Sequence, residues 1–162
     1  MTTGTVVEVH GVLSTVAVGN RRYHAHLPRG VRSPDPEVRS PVVVGDRVEV
    51  EVLNQEQVRI LRVEPRRTTL TRTDGFDPRK RHALAANLDQ VLLVVTPDQP
   101  PFRPRLIDRY LAAAAWDGLP AVICLNKIDL GVPEEVAWYL AGYRRIGYAV
   151  LQCSARTGEG MD

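Results

Sequence analysis

Cys124-Leu125-Asn126-Lys127-Ile128-Asp129 is a short apolar run that ends in Asn-Lys-x-Asp, and a second apolar run, Tyr148 to Gln152, ends in Cys153-Ser154-Ala155. The polar groups of these two stretches suit one purine and reject the other. A carboxylate at Asp129 can accept two hydrogen bonds from guanine, at N1–H and the 2-amino group. The Asn126 amide both donates and accepts, so it can face O6 and N7 while bracing neighbouring loops. The methylene stem of Lys127 can lie along the ring with its ammonium in water. The backbone N–H of Ala155 would point at O6, where a bulky side chain would crowd the base. Adenine has an amino group at C6 and nothing at C2, and would leave Asp129 without partners, a costly mismatch. The guanine-binding candidates are Asn126, Lys127, Asp129, Ser154 and Ala155. Asn-Lys-x-Asp alone also fits a strand-to-helix turn in which Asp129 caps a helix from Pro133. The second motif, at the end of a second strand, favours the guanine site.

Around these motifs the pattern from Ala83 onward is α/β. Asp89 to Thr96 is a near-continuous apolar strand, of the kind buried on both faces. A loop from Pro97 to Pro104 leads into a helix over Arg105 to Trp116, with Leu106, Tyr110 and Ala113 or Ala114 on one face, ended by Asp117-Gly118. Ala121 to Leu125 reads as a strand, Pro133 to Arg144 as a helix and Tyr148 to Gln152 as a strand. Two right-handed crossovers then give three parallel strands. Ligands of such sheets sit beyond the carboxyl ends of the strands, where both motifs lie.

The preceding 67 residues read as all-β. Gly4 to Val9 and Val12 to Val18 are Val/Thr-rich, joined at His10-Gly11; Tyr23, Ala25 and Leu27 alternate, as do Val48, Val50 and Val52, and Val58, Ile60 and Val63 make a further strand. Short strands with Gly-Asn and Gly-Asp turns predict a closed barrel, best matched by an OB-fold, which binds nucleic acid on its strand face and loops. Arg29 to Pro41 reads as a mobile basic insertion carrying Arg29, Arg32 and Arg39. Residues 68–87 read as a basic linker with turn chemistry at Asp74-Gly75 and Pro78. The expected division is a barrel at 1–67, the linker at 68–87 and the α/β part at 88–162. Candidates for RNA phosphate contact are Arg29, Arg32, Arg66, Arg67, Arg72, Arg79, Lys80 and Arg81. His24 and His26 share a strand face but have no third ligand nearby, so no metal site is expected.

Composition narrows the classes. The 162 residues are 44% hydrophobic and 25% charged, the make-up of a globular protein. No apolar stretch is long enough for a membrane span, and Met1-Thr2-Thr3-Gly4 does not begin a signal peptide. Net charge is +2, divided as +4 over residues 1–82 and −2 over 83–162, which points to two modules with different partners. Cys124 and Cys153 are read as reduced, buried thiols of a cytoplasmic protein. No Gly-x-x-x-x-Gly-Lys-Ser/Thr occurs, so no loop here cradles β- and γ-phosphates.

Five stretches together resemble the ribosome small-subunit-dependent GTPase A (RsgA/YjeQ) family: Pro65-Arg66-Arg67-Thr68, Ala85 to Val91, Pro104 to Leu111, Asn126 to Leu130, and Ser154 to Gly160. The resemblance implies an OB-fold, then a circularly permuted P-loop GTPase domain beginning with the guanine motifs, then a zinc-binding C-terminal domain. It implies use of GTP/GDP with Mg²⁺ in late maturation of the small ribosomal subunit, on its rRNA; the protein is expected to be a monomer. Only the family's N-terminal half is matched, so no catalytic residue is expected in this chain, and residues 1–162 alone are expected to be inactive. Two other readings use the same residues: a non-catalytic rRNA-binding OB module with a vestigial GTPase half, and a small-molecule guanine sensor that leaves the barrel unexplained.

Overall fold

The computed structural model describes residues 2–27, 30–36, 38, 40–74 and 81–161, which fall into two units, 1–88 and 89–162. Strict alternation builds the first. Strands β1 (Thr2–His10), β2 (Leu13–Val18), β3 (Arg21–His26), β4 (Arg47–Val52) and β5 (Gln57–Val63) close into a barrel of order β1-β2-β3-β5-β4. All neighbours are antiparallel except β3 and β5. This is the expected OB-fold. Val6, Val16, Tyr23, Ala25, Val48, Val50, Val58, Ile60 and Val63 fill its interior. Ile60 and Val63 both point inward although three apart, because a bulge at Glu49/Val50 shifts the register between β4 and β5. His24 and His26 face outward.

A buried ion pair joins the residue before β4 to the segment after β5. Asp46 and Arg66 have side chains 0% and 3% exposed, and the guanidinium grips the carboxylate with two parallel bonds, Nε to Oδ1 at 2.8 Å and Nη2 to Oδ2 at 2.9 Å. Arg66 also donates to the Ser40 carbonyl and the Ser33 hydroxyl, while Asp46 Oδ2 accepts the Val43 N–H. Every buried charge and polar group here has a partner, as burial demands.

Residues 68–87 are not the expected linker. Strands β6 (Thr69–Thr73) and β7 (Arg81–Ala86) form an antiparallel hairpin. Its inward residues, Thr71, Ala83 and Ala86, are small or polar, so no strong alternation marks them in the sequence. The hairpin packs on the basic insertion through Val38 and on the stretch that follows it through Val43, with bridges Val38–Arg81 and Val44–Ala85. Within the described part of that insertion Val38 is therefore buried, while Gly30, Arg32, Pro34 and Pro36 are exposed. Gly45 makes the contact possible: at φ +90° it lies so close to Ala86 that a Cβ would strike the Ala86 carbonyl oxygen.

In the second unit β8 (Val91–Val95), β9 (Ala121–Leu125) and β10 (Ala149–Gln152) form a parallel sheet of order β10-β9-β8. Helices α1 (Pro104–Trp116) and α2 (Glu134–Arg145) pack on one face, where Ile107, Leu111, Val136, Leu140 and Tyr143 meet Ile123 and Leu125. Tyr143 joins the helices by donating from its hydroxyl to Asp108 at 2.8 Å, and burial first, then Asp108, raises its pKa. Two expectations are corrected. The buried stripe of α1 is Ile107, Leu111 and Ala114, one position on from the expected one, and Leu106 and Tyr110 are exposed. Strand β8 is covered on one face only: Leu92 and Val94 are 53% and 58% exposed, and Leu151 of β10 on the same side is 54% exposed. Among the described residues no helix is long and apolar enough to cross a membrane.

Candidate guanine-recognition site

Strands β9 and β10 run side by side, with Leu125 paired to Gln152, so the chains leave the sheet together at Asn126 and Cys153. Backbone hydrogen bonds hold the two exits: Asn126 donates to the Val95 carbonyl at 2.8 Å, Cys153 to Leu125 at 2.9 Å and Ile128 to Cys153 at 3.2 Å. Lys127 takes a left-handed conformation, φ 63°, and turns the chain into a single 3₁₀ turn over Ile128–Leu130. That turn brings Asp129 beside Ser154. Helix α2 starts at Glu134, with Pro133 in the N-cap position and no side-chain cap, so Asp129 does not cap it.

Each candidate has a definite position. Asn126 Oδ1 accepts the backbone N–H groups of Lys127 at 2.7 Å and Ala155 at 3.0 Å, tying the two loops together. The Ala155 N–H, expected to face O6 of a base, is thus given to Asn126 here. Asp129 Oδ1 accepts the Ser154 hydroxyl at 2.5 Å, and Oδ2 accepts Arg156 Nε at 2.9 Å, with Nη2 at 2.6 Å. The Ser154 hydroxyl foremost, then the Arg156 guanidinium, holds the Asp129 carboxyl below the usual carboxylate range. It is ionised at neutral pH, as an acceptor for two N–H donors must be. Lys127 Nζ donates to the Gln99 carbonyl at 2.5 Å and so fixes the loop after β8 to the site.

The loop after Ser154 folds back on itself. Ser154 N–H donates to Glu159 O, and Gly158 N–H to Ser154 O, both at 2.8 Å. Gly160, at positive φ, lies so near the Gln152 carbonyl that a Cβ would collide with it. Cys124 and Cys153 are free thiols with sulfurs 3.4 Å apart. Burial foremost, then the Cys153 thiol, pushes Cys124 up to about 11, so it stays a neutral packing group at neutral pH. Two participants were missed in the sequence. Arg156, directly after Ser-Ala, is a cation within reach of the carboxylate, which is a readable signal. The Gln99 carbonyl carries none, since any residue could supply it.

The RNA candidates are more scattered. Arg29, Arg79 and Lys80 lie outside the described residues. Arg66 is corrected: it is buried against Asp46 and cannot reach a phosphate without breaking that pair. Arg81 is half-buried and donates from Nε to the Thr71 hydroxyl at 3.0 Å. Arg32, Arg67 and Arg72 are exposed. On the barrel wall Arg59 pairs with Glu51 and Arg62 with Glu49, so those cations are locally balanced. Among the described residues no group of His, Cys, Asp and Glu could hold a metal ion.

A closed five-stranded barrel followed by a parallel sheet of this kind is the architecture of the circularly permuted GTPases. YjeQ from Thermotoga maritima matches with a TM-score of 0.68 and 28% identity, over 99% of this chain and 54% of its own. YloQ, itself described as a circularly permuted GTPase, matches in fold with a TM-score of 0.60 and 22% identity, over 96% and 52%. The model of the RsgA GTPase family matches residues 63–162, and the chain belongs to that family. The small ribosomal subunit biogenesis GTPase RsgA of Sodalis glossinidius is 38% identical over 167 residues, covering 98% of this chain and 45% of that protein. Its namesake in Bacteroides fragilis is 38% identical over 138 residues, covering 83% and 43%. The chain thus spans about half the length of the relatives it matches.

Proposed function

We propose that this chain is the barrel and base-recognising part of a cytoplasmic, monomeric GTPase that acts in late maturation of the small ribosomal subunit. Asn126, Lys127, Asp129, Ser154 and Ala155 select guanine, and the barrel unit meets rRNA. The observation that carries the reading is that Asp129 is bonded to Ser154, and Asn126 to the Ala155 N–H, at the carboxyl ends of two adjacent parallel strands. Phosphoryl transfer rests on positioning and on charge stabilisation of the phosphates. Residues 1–162 contain no phosphate loop, so GTP turnover and Mg²⁺ binding are assigned to other parts of the full-length protein, and zinc to a separate C-terminal domain. The open sheet face at Leu92, Val94 and Leu151 fits a sheet that other parts of the polypeptide cover.

The test is direct. Purified residues 1–162 should show no GTP turnover, while the full-length protein turns GTP over and does so faster with small subunits present. Detectable turnover by the shorter chain would overturn the division of labour. Steeply salt-dependent RNA binding by a full-length protein that neither binds nor hydrolyses GTP would make the chain a non-catalytic rRNA module. Phosphate contact by the hairpin has its own readout. Arg72→Ala should weaken binding to small-subunit rRNA and reduce the slope of log affinity against log salt by about 1. A filter-binding series over several salt concentrations measures both, and an unchanged slope removes Arg72 from the interface.

A further inference from the structure

We infer that Arg156 occupies the guanine-reading carboxylate when no base is bound, and that a guanine nucleotide must displace it. The inference rests on the proposed role of Asp129. The Asp129 side chain is only 9% exposed, although its turn lies beyond the carboxyl end of the central strand; the group beside it, Arg156, is 74% exposed. Arg156 presents two N–H donors, Nε and Nη2, to the single atom Oδ2. Guanine presents a similar pair, N1–H and one 2-amino hydrogen, to the same carboxylate. The arginine therefore imitates the ligand edge. Ser154 takes Oδ1 from inside the loop and is itself fully buried. It can stay in place when a base arrives, because each carboxylate oxygen accepts more than one hydrogen bond. Oδ2 already receives two donors, so it is the position in contest.

The exchange is cheap for Arg156. Its mostly exposed guanidinium regains water on leaving, and an exposed ion pair is a weak one. For the carboxylate, the substitution keeps two N–H donors in either state, so Asp129 is never left desolvated and unpaired. The competition has two consequences. It lowers affinity for guanine nucleotides by the strength of the Arg156 pair, and it makes that affinity rise with salt, which screens the pair. An unpaired Asp129 would show neither.

The experiment is nucleotide binding by full-length protein, read by competition against a fluorescent GDP analogue at low and high salt. Arg156→Ala should bind GDP about two- to five-fold more tightly than the unaltered protein at low salt, a gain that shrinks as salt is raised. In an Asp129→Asn background Arg156→Ala should change nothing, since the anion it competes for is gone. Weaker GDP binding by Arg156→Ala at every salt concentration would show that the guanidinium touches the nucleotide, and would overturn the inference. Equal affinity at low salt would overturn it too. The reading of Asp129 is judged separately: if Asp129→Asn leaves base selectivity unchanged, that reading falls, whereas a selectivity change without any gain from Arg156→Ala removes only the competition.

Discussion

Asp129→Asn in the full-length protein should weaken GDP binding by on the order of a hundredfold or more, and give measurable affinity for xanthosine diphosphate. The argument is one of donors and acceptors. The carboxylate accepts from both N1–H and the 2-amino group; an asparagine amide accepts at its oxygen only and turns a donor toward the other position. With guanine, two N–H groups then face each other and one is left without a partner in a site that has excluded water. With xanthine, the carbonyl at C2 meets the amide NH₂ and both bonds are restored. The protein should tolerate the change, since the Ser154 hydroxyl that now donates to Oδ1 can donate to the amide oxygen. Competition by GDP, IDP and XDP against a fluorescent analogue decides the matter. IDP, which lacks only the 2-amino group, should fall between GDP and ADP with the unaltered protein. Equal GDP and XDP profiles for the two proteins would mean that Asp129 does not read C2.

The parts of this molecule that were legible in the sequence are those where one residue type can do one job. Strict alternation of Val48 and Val50 with Arg47 and Glu49 has no comfortable arrangement except a strand with one wet face, and the barrel followed from several such runs. Where small residues do the packing, alternation fades: Thr71, Ala83 and Ala86 line the inside of the hairpin, and 68–87 read as a linker. In α1 the difficulty is reversed. Leu106 and the ring of Tyr110 offer an apolar stripe beside that of Ile107 and Leu111, so hydrophobicity alone did not set the phase; packing against Ile123 and Leu125 of the sheet does. Strand β8 read as covered on both faces because its composition carries that signal, while the helices in this chain cover one. The guanine site was legible because its chemistry is local to two loop starts. Arg156 was passed over although its place directly after Ser-Ala can be read, since an exposed cation ordinarily means water, and Arg66 was misread because a dense run of arginines resembles a phosphate grip.

Arg66 is also where the largest loss of stability is expected. Removing either partner of a fully buried ion pair leaves the other charged and desolvated, at a cost of about 3–5 kcal/mol. Arg66→Ala and Asp46→Ala should each destabilise the barrel unit by about that amount. Arg66→Lys should recover only part of it, because one ammonium cannot reproduce two parallel bonds to the carboxylate together with the bonds to Ser40 and Ser33. The double replacement Asp46→Leu/Arg66→Met should cost less than either single change, for it removes both charges and fills the space with apolar atoms. Native-state hydrogen exchange at the Val6 and Gly45 amides reports the effect locally, since Val6 donates to the Asp46 carbonyl and Gly45 to Val6. A surface phosphate contact predicts a different pattern: Arg66→Lys would be stable and nearly competent for RNA, and Asp46→Ala, by unmasking a cation, would bind RNA more tightly without loosening the barrel. The buried geometry predicts the reverse order, with Asp46→Ala as damaging to the fold as Arg66→Ala and any loss of RNA binding following the loss of structure.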